Sequence, residues 1–406
     1  MRILILSLKA GAGHIRAAQA IEEAIREQSP GAQVQHIESL SLMTSLYRIG
    51  FNAIYGSILK WMPSLWRVVY EHTEKQPPWN PRFTRLNAGR LIRTIQNFDP
   101  DCIVCTHFLP AALAAKMHRE GKLRASVAVV LTDYDIHKMW IHRGVGHYFV
   151  ANAETAYALH RKDVPTASVT ISGIPTLSSF RKKQLSRDEL RKKLNLDASR
   201  PVVLVTGGGC GLGELDAVVR ALAAEYPLAQ YLAVAGNNPK VFASLKTLAA
   251  QYRGIVTPFG FVSNIDEMMA ASNLAITKPG GLTITECLAM ALPTILINPI
   301  PGQEEHNAKY LLETGAALQA HNLSSLLYKV REVLANPQIL ARMSLAACNA
   351  AAPSAALTIA EKSIELAQLA PGLANAPSPA KNFANLPLAS DPEGKPEGLE
   401  AVAVPH

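Results

Sequence analysis

Cysteine and long apolar runs are scarce in this chain, and each scarcity excludes a class of protein. Five cysteines in 406 residues do not make the disulfide framework of a small secreted domain. Two of them form Cys102-x-x-Cys105 in the strand-like run DCIVCTHF, with no second pair to complete a metal site, so buried strand cysteines are expected. No window reaches about 18 uninterrupted apolar residues, so no membrane-spanning helix is expected. The opening MRILILSL has no basic lead, long apolar core or small-residue cleavage site, so no signal peptide is expected and the protein reads as cytoplasmic.

What is present is the composition of a folded chain, 49% apolar and 18% charged, long enough for two domains of ordinary size. The net charge of +8 is unevenly spread: residues 1–200 carry 28 Lys and Arg against 16 Asp and Glu, and residues 201–406 carry 12 against 16. The two halves therefore face different partners, the basic half suiting a polyanionic surface. Part of that excess sits in RKKQLSRDELRKKL, Arg181 to Leu194, which reads as a solvated helix or linker.

Both halves alternate short apolar runs with helical patterns. MRILILSL, DCIVCTH, SVAVVLTD and HYFVANA mark the first; PVVLVTG, AQYLAVAG, IVTPFGF, NLAITKP and TILINPI mark the second. Runs that are apolar throughout, and not at every second residue, indicate parallel strands buried on both faces, so the fold class is α/β with two doubly wound domains. The expected organisation is a domain over residues 1–175, a second over 176–352, a C-terminal helix over 353–370 and a disordered Pro-, Ala- and Gly-rich tail over 371–406.

Ligands of such sheets sit at the carboxyl ends of the strands, so glycines just after a strand are informative. Gly11 and Gly13 follow the first strand, Gly207, Gly208 and Gly209 follow PVVLVT, and Gly280 and Gly281 follow NLAITK. Small residues there let a ligand approach the backbone, and the helix start that follows presents free N–H groups to an anion. The first loop, KAGAGHIRA, lacks the Lys and Ser/Thr of a P-loop and the acidic partner of a dinucleotide fingerprint. Its distinguishing residue is His14, whose protonated form a helix N-terminus disfavours, leaving a base near neutral pH. A capping histidine is the plainer alternative. In the second half, Thr283 and Glu286 stand three apart on one helix face, where the carboxylate can accept both hydroxyls of a ribose; a capping box fits the same spacing. Gln303, Glu304 and Asn307 open the next helix with groups that suit sugar hydroxyls.

The stretch GFVSNIDEMMAASNLAITKPGGLTITECLAMALPTILINPIPGQEEHNA resembles the donor-binding signature of the monogalactosyldiacylglycerol synthase and processive diacylglycerol glucosyltransferase family, glycosyltransferase family 28. AGAGHIRAA is similar to its Gly-x-Gly-His loop, and LTDYDIHKMW to its Thr-Asp-x-x-x-His-x-x-Trp segment. The resemblance runs from Met1 to about Leu369 and implies a GT-B architecture, two Rossmann-like domains facing a cleft with a last helix that crosses back to the first. It implies a UDP-sugar on the second domain and an acceptor on the first. By position, Phe261 and Val262 hold uracil, Glu286 the ribose, and Gly280, Gly281 and Thr283 the diphosphate; Gln303, Glu304 and Asn307 face the sugar, with Asn237 and Gly208 nearby and Gly13 on the opposing loop.

The implied reaction is displacement at an anomeric carbon with inversion, which needs a base for the acceptor hydroxyl and stabilisation of the departing UDP. His14 is the candidate base, with Asp133 its orienting partner or a rival base. The UDP-sugar is a co-substrate; no cofactor and no metal are expected, no Asp-x-Asp being read as a metal site. The acceptor implied is diacylglycerol. Ser41 to His72, rich in Leu, Ile, Trp and Tyr and carrying Arg48, Lys60 and Arg67, suits an interfacial segment on an anionic leaflet, although a buried helical pair fits the same composition. That places the protein peripherally on the inner face of the cell membrane, with no nucleic-acid partner. Two alternatives stand beside it: a relative using UDP-N-acetylglucosamine, as a transferase for another lipid or as a 2-epimerase on the same two-domain plan, and a non-catalytic nucleotide-sugar sensor or membrane scaffold.

Overall fold

The computed structural model describes residues 1–9, 11–51, 63–75, 87–182, 185–207 and 215–369. The first half is a six-stranded parallel sheet of β1 (Arg2–Ser7), β2 (Gln33–Glu38), β3 (Cys102–Cys105), β4 (Ser126–Val130), β5 (His147–Val150) and β6 (Val169–Ile171), in the order β2-β1-β3-β4-β5-β6. Helices α1 (Gly13–Gln28), α2 (Pro63–Lys75), α3 (Gly89–Phe98), α4 (Phe108–Arg119) and α5 (Ala153–His160) connect or flank the strands. The second half repeats the plan with β7 (Val202–Thr206), β8 (Gln230–Val234), β9 (Val256–Phe259), β10 (Leu274–Thr277), β11 (Thr294–Leu296) and β12 (Ala317–Gln319), ordered β12-β11-β10-β7-β8-β9. Its helices are α6 (Arg187–Lys193), α7 (Leu215–Glu225), α8 (Pro239–Gln251), α9 (Ile265–Ala271), α10 (Gly281–Ala289), α11 (Gln303–Glu313), α12 (Leu323–Ala335) and α13 (Pro337–Ala350). A last helix, α14 (Ala355–Leu369), returns to the first sheet.

The uniformly apolar strands follow from helices on both faces. Along β1, Ile3 and Ile5 pack with Ile21 and Ile25 of α1 and Ile359 of α14. Leu4 and Leu6 point the other way, to Leu91 and Ile95 of α3 and Leu109 and Leu113 of α4. With a side-chain period of two, both sets must be apolar. Cys102 and Cys105 are buried in β3 on opposite faces, and burial pushes the Cys102 thiol up to about 12, which removes thiolate chemistry at neutral pH.

The apolar-run criterion passed over β2, β6 and β12, and all three are edge strands. An edge strand is covered less completely, so in QVQHIE of β2 only Val34 and Ile37 are buried, one on each face of the sheet. The basic run Arg181–Leu194 also differs from expectation. Its helix α6 is closed by a Ser186–Glu189 capping box, and buried Arg191 donates to the carbonyls of Ala271 and Ala198 and to Asn273 Oδ1. It is docked by these three guanidinium bonds against the end of α9 and the segments that lead into β7 and β10, not solvated along its length. The expected tail over 371–406 lies outside the described residues.

Gly173 marks the return of the chain to the first domain. It has φ +83°, and a Cβ there would stand 2.3 Å from the Cβ of Ala352, so only glycine fits the meeting of the β6 exit with the entry to α14. The stretch Pro337–Leu369 is long and apolar enough by length and composition to cross a membrane, with a mean hydropathy of 1.3 over its best window. It is broken at 351–354, and Ala356, Ile359, Ala360 and Ala367 of α14 lie buried in the first core. Replacing Ile359 by Ala is therefore expected to cost about 3 kcal/mol, the usual loss for a buried large-to-small change, read as a lower urea midpoint. An unchanged midpoint would contradict the seating of α14 in that core.

Candidate active site

Strand order reverses between β1 and β3 in the first sheet and between β7 and β10 in the second. Those two reversals open crevices at the carboxyl ends of the strands. The loop after β1 delivers His14 at the second position of α1, and the loop after β3 delivers Thr106 and His107. The loop after β10 delivers Lys278, Pro279 and Gly280 to the start of α10; the loop after β7, including Gly208, lies outside the described residues.

His14 sits among groups that hold it still. Its Nδ1 is 2.9 Å from Oγ1 of Thr132, and its backbone carbonyl accepts from Oγ1 of Thr106 at 2.9 Å. The His107 ring meets it edge-on at 4.7 Å between centroids, and Trp140 stands at 6.2 Å. Burial pushes the His14 pKa down to about 4, against a smaller opposing pull from the Thr106 backbone. The imidazole is thus neutral at pH 7, and exclusion of water is the main cause, where the sequence pointed to the helix end.

The orienting partner differs from the expected one. Thr132 takes that place, and Asp133 turns away: its Oδ1 accepts from Asn307 Nδ2 at 2.8 Å. Consecutive side chains of an extended segment point to opposite sides, so beyond β4 Thr132 faces α1 and Asp133 faces the second domain. Burial, with Glu304 and Asp135 adding repulsion, raises Asp133 to about 6 although the Asn307 bond opposes the shift. Asp133-Tyr134-Asp135 is an Asp-x-Asp that the sequence reading passed over. Its second carboxylate lies 3.2 Å from His306 Nδ1, so the two acids face different partners. Among the described residues no group of three His, Cys, Asp or Glu is placed to hold a metal ion.

Tyr134 completes a wedge driven into the second half. Its N–H donates to Asn307 Oδ1 at 2.8 Å, its hydroxyl is 2.8 Å from Thr285 Oγ1, and its ring stacks on Tyr310 at 4.1 Å. Asn307, expected to face a sugar, is fully buried with its carboxamide shared between Tyr134 and Asp133. Gly281 shows how close the approach is, since a Cβ there would fall 2.1 Å from the carbonyl oxygen of Thr132.

The remaining expected residues divide between the crevice and its rim. Gly280 caps α10, and a Cβ on it would lie 3.8 Å from Glu304 Oε1. Gly13 faces Leu282 across the joint. Thr283 is half-buried on the first turn of α10 and Gln303 half-buried at the start of α11. Glu304 is buried, accepting from the Ile300 N–H at 2.8 Å and lying 3.5 Å from Lys278 Nζ. Glu286 is buried, 3.4 Å from Arg16 Nη2 of α1; burial raises it to about 7 against the pull of Arg16. Phe261 is 64% exposed and Val262 half-buried after β9, and Asn237 is exposed after β8. Arg16, Thr132, His107 and Tyr134 went unassigned in the sequence, because each acts through a contact distant in the chain.

The family described as monogalactosyldiacylglycerol (MGDG) synthase matches residues 14–176, and the glycosyltransferase family 28 C-terminal domain matches residues 202–359. Processive diacylglycerol beta-glucosyltransferase of Bacillus cereus (strain G9842) is 30% identical over 355 residues, covering 84% of this chain and 88% of the relative. The chain belongs to this family of glycosyltransferases. The namesake from Bacillus thuringiensis (strain Al Hakam) is 29% identical over 392 residues, covering 93% and 97%. Among solved structures, MurG of Acinetobacter baumannii aligns with a TM-score of 0.58 at 16% identity, covering 90% of this chain and all of that one. UDP-GlcNAc 2-epimerase from Neisseria meningitidis aligns at 0.60 and 14%, with the same coverage, and the glycosyltransferase WaaG at 0.55 and 14%, covering 89% and 99%. At those identities the likeness concerns the fold, which is GT-B. The family membership carries the rest.

Burial gives this GT-B glycosyltransferase a defined response to acid. His14, His142 and His147 are each pushed down to about 4 from 6.5, and His107 well below its ordinary value. Below 6.5 the unfolded chain takes up protons that the folded imidazoles refuse, so stability falls as pH drops from 6.5 toward 4. Asp133 and Glu286, raised to about 6 and 7, act with the opposite sign, because the folded state protonates them first and gains stability over the same fall. With His36, which burial also pushes down, five imidazoles oppose two carboxylates, so the thermal midpoint is expected to drop between pH 6.5 and 4.5. A midpoint that holds or rises in calorimetry would contradict the burial of these rings.

Proposed function

We propose that this chain is an inverting glycosyltransferase that moves a hexose from a UDP-sugar to the free hydroxyl of diacylglycerol, making a monoglycosyl-diacylglycerol. The observation that carries the reading is the pairing of a half-buried, neutral His14, fixed by Thr132, with the glycine-started helix α10 directly across the joint. In the tautomer whose Nδ1–H is donated to Thr132, Nε2 keeps the lone pair that takes the acceptor's proton. The acceptor oxygen then attacks the anomeric carbon from the face opposite the departing group. The bond from that carbon to the diphosphate oxygen breaks, its electron pair leaves with UDP, and the configuration inverts. The N–H groups at the start of α10 receive the diphosphate charge. The UDP-sugar enters as co-substrate, with neither cofactor nor metal assigned a step.

We place the reaction on the inner face of the cytoplasmic membrane. Leu46 is 82% exposed, Ile49 63% and Val68 60%, near Arg48 in a helical stretch at 45–51 and on α2. Apolar side chains offered to solvent beside basic ones suit an anionic lipid surface. Much of the segment Ser41–His72, residues 52–62, lies outside the described residues.

The test is incubation of the full chain with diacylglycerol in anionic liposomes and a panel of UDP-hexoses and UDP-N-acetylglucosamine, followed by mass spectrometry of the extracted lipid. One hexose mass gained by diacylglycerol with a UDP-hexose is the expected result, and the donor that works names the sugar. A nucleotide sugar converted to its epimer with no lipid gaining mass would overturn the transfer reading in favour of an epimerase.

A further inference from the structure

Among the described candidate donor contacts, Glu286 is the one left electrically incomplete. It lies on the second turn of α10, its carboxylate is buried, and its Oε1 has no hydrogen-bond partner. A buried carboxylate oxygen without a donor costs free energy unless something arrives to satisfy it. The cation nearest that oxygen comes from the other half: Arg16, at the fourth position of α1, places Nη2 at 3.4 Å, beyond the usual length of a charge-assisted hydrogen bond. The contact neutralises the carboxylate without saturating it.

The charges around Glu286 come from every side. From α1 there is Arg16; from α9 the buried Asp266 opposes ionisation; on α10 itself the buried Cys287 is uncharged. The β4 exit brings Asp133 to 3.1 Å from where a Cβ on Gly281 would stand, α11 presents Glu304, held by Lys278, at Gly280, and α13 contributes Ala346, Ala347 and Ala350. Of these acids Asp266 is the one that opposes ionisation of Glu286, and Arg16 from the first domain counters it.

We propose that Arg16 is a positioning residue for donor binding: from the first domain it keeps Glu286 ionised and aimed, so that the nucleoside pocket of the second domain is completed only when α1 is seated against α10. This rests on the UDP-sugar reading, in which Glu286 accepts the two ribose hydroxyls. An ionised carboxylate offers both oxygens to a diol, whereas a protonated one spends an oxygen on its own hydrogen. Nucleotide affinity thereby becomes sensitive to the joint between the domains.

The experiment is calorimetric titration of UDP into the full chain and its R16Q, R16K and D266N variants from pH 6 to 9. For the parent, affinity rises with pH about a midpoint near 7. In R16Q that midpoint moves up by about one unit, which weakens binding near neutrality by up to about tenfold, and binding recovers toward the parent value at pH 9. R16K restores the midpoint, and D266N, which removes an opposing charge, moves it down. An R16Q midpoint equal to that of the parent, with affinity changed uniformly or not at all, overturns the proposal and leaves Arg16 a structural contact. Should R16Q fail to fold, the direction of the D266N shift decides, since an unmoved midpoint there removes the charge balance on which the inference stands. Failure of the underlying reading looks different: the parent takes up no UDP at any pH.

Discussion

A single buried carboxamide, Asn307, joins the two halves of this glycosyltransferase at the distance where chemistry can be shared. It accepts from the Tyr134 amide and donates to the Asp133 carboxylate, and a carboxamide can satisfy a donor and an acceptor at once only from one orientation. Everything nearby follows from that registration. Thr132 is left facing His14, the carbonyl of Thr132 presses on Gly281, and Tyr134 is stacked on Tyr310. The same contact explains why a residue that the sequence offered to a sugar is spent on architecture.

Dryness does two opposite things at this joint. It suppresses charge on His14 and His107 and also suppresses charge on Asp133 and Glu286, because a low-dielectric setting disfavours whichever form is ionised. For an imidazole that outcome leaves a ready base. For a carboxylate it is a defect unless a cation or a hydrogen-bond donor restores the charge. The second half meets that need with Asn307 at Asp133, and the first half meets it with Arg16 at Glu286.

How much of this was legible in the sequence depended on whether the signal was local. Strands buried on both faces announced themselves as VVLVT or CIVC, and the glycines that start α10 stood beside their strand. Edge strands such as QVQHIE did not, since a half-covered strand buries few of its positions and needs no apolar run. The same limit governed the site. His14 and Glu286 were found from loop and helix context, but the partner of His14 was assigned to Asp133, one residue from Thr132, because strand-exit geometry and not residue type decides which side chain faces α1. Arg191 looked like solubility charge and proved to be a buried carbonyl clamp. Arg16 looked like an ordinary surface residue of α1 because its partner lies in the other domain.

In the proposed reaction the two halves divide the labour, the second holding nucleotide and the first supplying the base. The most direct measurement compares UDP affinity and sugar transfer in H14A. The expected result is affinity equal to that of the parent with transfer lower by about 100- to 10,000-fold, the usual contribution of a positioned base. Transfer that survives, or UDP affinity that falls as far as transfer does, would contradict it.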